Sequence, residues 1–182
     1  MANPLSNKKR IRGWKRRVKQ IDQWKKWFMH LDLEELQTTQ RDYVKLWIDP
    51  FYRLNRRNPP VWYSRLLLEA MIEVYHSWSR QMASLNEPFY LRIWFYHPNF
   101  IQSQIVVAFR DALHFYDTTF EAGSGSQTFP WELYGTVPGL QDFIWEPAVE
   151  PEPYCLPGQP QAKAAQVWLG RVGSYQSPGV MI

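Results

Sequence analysis

Across Pro88 the hydrophobic period of this chain changes from 3.6 residues to 2, and no other feature constrains the fold as tightly. Before it, Leu67, Leu68, Met71, Val74, Tyr75, Trp78, Met82 and Leu85 step by threes and fours, a wide apolar stripe along one helix. After it, "FYLRIWFYH" alternates. Phe89, Leu91, Ile93 and Phe95 take one face of a strand, and Tyr90, Arg92, Trp94 and Tyr96 the other. Asn58 followed by Pro59 and Pro60 marks the start of the helix, because proline loses nothing in a first helical turn. Further on, "SQIVVAFR" and "LHFYDTTF" read as two more strands, separated near Arg110 and Asp111. Helices followed by a run of strands indicate α+β, with a three-stranded antiparallel meander packed on the long helix.

Two more helices are expected upstream. Ile11, Trp14, Val18, Ile21, Trp24, Phe28 and Leu31 share one face of a first helix over about residues 11–30. "LDLEEL" then has the form of a capping box, with Asp32 as cap and Glu35 reaching back. Leu33, Leu36, Tyr43, Leu46 and Trp47 supply the apolar positions of a second helix that ends before Pro50. The connector "FYRLNRRNPP" carries Arg53, Arg56 and Arg57.

Downstream, Pro130, Pro138, Pro147, Pro151, Pro153, Pro157, Pro160 and Pro178 argue for an extended segment, with a short strand around Val167 to Val172. The expected organisation is a mobile basic arm over 1–10, a single α+β domain over 11–128, and a proline-rich C-terminal segment over 129–182 draped on that domain. The fold class is therefore α+β: three N-terminal helices packed on a small antiparallel β-meander, followed by a proline-rich extended tail. With 182 residues and 45% hydrophobic composition, the chain can bury one sizeable core.

Charge is distributed unevenly. Residues 1–30 hold ten Lys or Arg against Asp22 alone, residues 31–92 balance, and residues 93–182 are net −5. The first helix concentrates this charge: at 100° per residue, Arg12, Lys15, Arg16, Lys19 and Lys26 gather on the arc opposite the apolar face. Arg17 and Lys25 fall inside the apolar arc, where each must snorkel, meet a carboxylate or face a partner. A face of this kind is commonly no more than solvated surface.

Beyond solvation, three anionic occupants fit it. An acidic protein would be steered by Arg12, Lys15, Arg16, Lys19 and Lys26 and anchored by Trp14, Trp24 and Trp27. A nucleic acid would meet phosphate-neutralising cations, extended by Arg53, Arg56 and Arg57, and would stack on tryptophan or on Tyr90, Trp94 and Tyr96 beside Arg92. An anionic membrane surface would take the apolar arc, with the cations facing its headgroups. We adopt the first: a non-enzymatic accessory or assembly-type protein that contacts an acidic partner or complex. A nucleic-acid binder using the same helix is the alternative, and peripheral membrane attachment the third.

Catalytic chemistry has little to build on. His30, His76, His97 and His114 show no metal-ligand spacing, so no metal and no cofactor is expected. Cys155, the lone cysteine, sits in a proline-bounded turn without a neighbouring base and leaves no internal disulfide. "GSGS" lacks the lysine and helix of a phosphate loop, and Asp111 and Asp117 read as turn residues. "PAVEPEPYCLPG" reads as a rigid extended spacer. No apolar run approaches the roughly 20 residues that span a bilayer, and the N-terminal residues show no secretory signal. A reducing, cytoplasmic compartment is the expectation.

Overall fold

In a computed structural model, the chain is described over residues 11–38, 42–48, 59–85, 87–98, 100, 103–113, 128–148 and 166–172. The helices are α1 (Trp14–Phe28), α2 (Leu33–Thr38), α3 (Val61–Ala83) and the single turn α4 (Trp131–Tyr134). The strands are β1 (Tyr43–Trp47), β2 (Phe89–His97), β3 (Gln104–Phe109), β4 (Phe143–Pro147) and β5 (Gln166–Val172). Helix and antiparallel sheet together make the fold α+β.

Pro60 stands at the N-cap of α3 with φ −63° and ψ 145°, an extended conformation that its ring favours. The expected stripe is what α3 buries: Leu67, Leu68, Met71, Val74, Tyr75, Trp78 and Met82. Against it lies one face of a sheet with strand order β1-β3-β2-β5-β4, every neighbouring pair antiparallel. Ile93 at the centre of β2 is opposite Ile105 on one side and Gly170 on the other.

That face contributes Leu91, Ile93, Phe95, Ile105, Val107, Phe109 and Trp168 to the main core, and α1 adds Ile21 and Trp24. Toward β4 the core is aromatic. Phe129 stacks on Trp145 with centroids 4.5 Å apart, Phe143 meets Tyr75 at 4.8 Å, and Tyr134 meets Phe95 edge-on at 5.0 Å. The opposite face of the sheet buries Tyr90, Trp94, Tyr96, Val106, Ala108, Val167 and Leu169 in a second, smaller core.

Four expectations change. Tyr43–Trp47 is a strand on β3, not the continuation of α2. Residues 37–42 contain no apolar side chain to extend a helical stripe, whereas 43–46 alternate exposed Tyr43 and Lys45 with Val44 and buried Leu46. A strand therefore separates α2 from α3, and the expected block of three helices is interrupted.

The β2–β3 pair forms, but its outer neighbours are β1 and β5, so the sheet is larger than a meander. The chain leaves β3 at Arg110, whose φ is +49°, and residues 110–113 make a helical turn. The remainder of "LHFYDTTF" lies outside the described residues.

After Pro130 the structure is regular where extension was expected: α4, a 3-10 turn (Leu140–Asp142), β4 and β5. Pro130 caps α4 and Pro147 closes β4, so neither proline interrupts an element. The strand expected around Val167 to Val172 is present as β5. The expected basic arm over 1–10 and the prolines from 151 to 160 and at 178 lie outside the described residues.

Candidate partner-binding face

The C-terminal end of α1 is fixed by side chains of α3. The last carbonyls of a helix have no partner within it, and here α3 supplies the donors. Trp78 Nε1 donates to the Phe28 carbonyl at 2.7 Å, and Ser77 Oγ to that of Met29 at 2.6 Å. Gln81 spans the junction, its Nε2 donating to the Met29 carbonyl at 3.0 Å and its Oε1 accepting from the Leu31 amide at 2.9 Å. One turn earlier, Lys25 Nζ lies 2.8 Å from Glu73 Oε2. Beyond the junction, the Glu35 amide donates to Asp32 Oδ1 at 2.9 Å, the first half of the expected capping box.

Both cations placed inside the apolar arc are thereby accounted for. Lys25 meets a carboxylate. Arg17 lies near the Tyr63 hydroxyl: burial pushes the pKa of that hydroxyl up, and the positive charge of Arg17 pulls it down.

The opposite arc faces outward. Arg12, Lys15, Arg16, Lys19 and Lys26 are all exposed, and none forms an ion pair with another described residue. Lys15 Nζ lies 5.9 Å from the centre of the Trp14 ring. Trp27 is 70% exposed and Trp14 45%. Trp24, expected to anchor a partner, is 3% exposed and belongs to the core. It lies on the apolar arc and is buried in the core with Ile21, so that expectation is replaced by a packing role. Arg53, Arg56 and Arg57 lie outside the described residues.

Sequence reasoning missed Ser77, Gln81 and Glu73, which seat the helix. All three sit outside the α3 stripe, and the groups they bind are some fifty residues away. No local pattern encodes such a contact.

The remaining candidates do not converge. His97 Nδ1 is 3.2 Å from Tyr134 Oη, and burial pushes the imidazole pKa down, against the raising effect of Glu132. His76 packs edge-on against Tyr75 and Phe143 and is also pushed down by burial. His30 is exposed, and His114 and Cys155 lie outside the described residues. Among the described residues, no group of three or more His, Cys, Asp and Glu could hold a metal ion. Nor is any described helix long and apolar enough to cross a membrane. Tyr90, Trp94 and Tyr96 are buried, with the Arg92 guanidinium 4.8 Å from the Tyr90 ring centre.

Comparison of the chain with protein-family models, with curated proteins and with solved structures returns no match.

Proposed function

We propose that this chain is a non-enzymatic accessory or assembly-type binding protein that docks on an acidic protein through the outward face of α1. The observation that carries the reading is five exposed cations without a carboxylate partner among the described residues, set beside two exposed tryptophans on a helix whose inner face carries buried Ile21 and Trp24. Lysine and arginine fields raise encounter rates with acidic surfaces. Tryptophan supplies the apolar area that dominates binding energy. Lys26 and Trp27 stand next to the junction with α3, so presenting them to a partner costs little ordering entropy.

Two observations weigh against the other occupants. The aromatic face that would stack on nucleotide bases is buried in the second core. The apolar arc that a membrane-surface helix inserts into lipid is turned inward, with Ile21 and Trp24 against α3.

Site-specific photo-cross-linking tests the reading. A photoreactive side chain at exposed Gln23, in the middle of the outward arc, is compared with one at exposed Glu87. The expected result is an adduct with one acidic protein, formed from position 23 only and lost when Lys15, Lys19 and Lys26 are changed to Glu. Adducts with nucleic acid or lipid, or the same adducts from both positions, would overturn it.

A further inference from the structure

The two halves of α1 are held unequally. Its described fully buried residues are Ile21 and Trp24, and the junction with α3 and the Lys25–Glu73 pair lie beyond Ile21. Over Trp14–Gln20 no residue is fully buried. Ile11 and Val18 are half-buried, and Arg17 lies near Tyr63. Between α1 and α3 lies a half-open groove of about 140 Å³, walled by Val18, Ile21, Leu66 and Ala70 and by the charged Asp22, Lys25, Glu69 and Glu73.

Electrostatics acts in the same direction. The N-terminus of a helix carries positive partial charge and is stabilised by acids and side-chain caps. Among the described residues α1 has neither: Gly13 stands at the N-cap with φ +72°, no side-chain cap hydrogen bond forms, and the first turn holds no acid. Lys15, Arg16 and Arg17 occupy that turn, with Arg12 just before it. Each repels the helix end, and they repel one another.

We propose that the N-terminal half of α1 opens far more readily than its C-terminal half, and that docking of an acidic protein consolidates it, so that binding and helix completion are one coupled step. This rests on the docking reading above. Carboxylates from the partner neutralise the cations that oppose helix formation at that end. The secured C-terminal half already provides the nucleus, and adding turns to an existing helix is far easier than starting one. The partner shifts a population already present in the unbound protein.

Amide hydrogen exchange on the full chain tests this, with poly-L-glutamate as the acidic probe and binding followed separately by fluorescence anisotropy. In the unbound protein, the amides of Arg17 to Gln20 should exchange at least about ten-fold faster than those of Trp24 to Phe28. At saturation with the probe they should slow by about ten-fold, while those of Trp24 to Phe28 change little. Equal protection of the two halves without probe would overturn the proposal. So would saturation without slowing. Absence of binding at low salt would instead bring down the docking reading, and it would be seen in the anisotropy. A Lys15→Glu variant provides a second arm, since it places an acid in the first turn without touching the junction with α3. Exchange at Arg17 to Gln20 should slow in this variant without any probe, and no change would count against the proposal.

Discussion

Gly170 is a glycine because Trp145 fills the space where a side chain would go. A Cβ built there falls 2.5 Å from the indole, and the ring is stacked against both Phe129 and Phe143. Replacing glycine by alanine can stabilise a protein by about 0.4–1 kcal/mol through the unfolded chain. Here overpacking of a ring that cannot move outweighs that gain. Gly170→Ala should lower unfolding free energy by about 1–3 kcal/mol, measured by urea denaturation, with a change in the near-ultraviolet circular dichroism of the tryptophans. Lys25 gives the opposite expectation. Its pair with Glu73 is about one-third exposed on average, so solvent screens it. Lys25→Met should change stability by less than about 1 kcal/mol in the same measurement.

At the scale of elements, the junction between α1 and α3 depends on Gln81. Gln81→Ala leaves the buried Leu31 amide without its acceptor, while Ser77 still serves the Met29 carbonyl. The expected loss is about 1–3 kcal/mol by denaturation, with exchange accelerated selectively in the C-terminal turns of α1. Nothing in the sequence announces this residue. Elements that bury a regular face were legible: α3 from its stripe, β2 to its end residues from alternation, and α1 from both of its arcs. β1 was misread because Tyr43, Leu46 and Trp47 also happen to lie three and four residues apart, which a short run cannot distinguish from alternation. β4 and α4 are hidden in the sequence by the prolines that bound them, because a high proline density does not reveal that Pro130 and Pro147 stand at element ends. The outward cations of α1 were legible for the same reason as its apolar arc. Trp24 was not, because a tryptophan at the margin of an arc can turn either way until the packed neighbour is known.

For the whole molecule, two histidines link stability to pH. Burial lowers the pKa of His76 and His97 below the ordinary 6.5, so the unfolded chain binds protons that the folded one refuses. The contribution is complete above pH 6.5 and is lost as pH falls from there through the lowered folded values. The urea midpoint should therefore drop between pH 7.5 and pH 5, and His76→Gln with His97→Gln should flatten that dependence. Sheet order has a different consequence, which concerns synthesis. The ribosome finishes β2 at His97, 75 residues before β5, the strand that seals its flank, is complete at Val172. At roughly 5–20 residues per second, the nascent polypeptide waits several seconds with that flank bare. Chains arrested just short of Gln166 should be held by chaperones and cut readily by protease. Those arrested well past Val172, once it has cleared the exit tunnel, should resist.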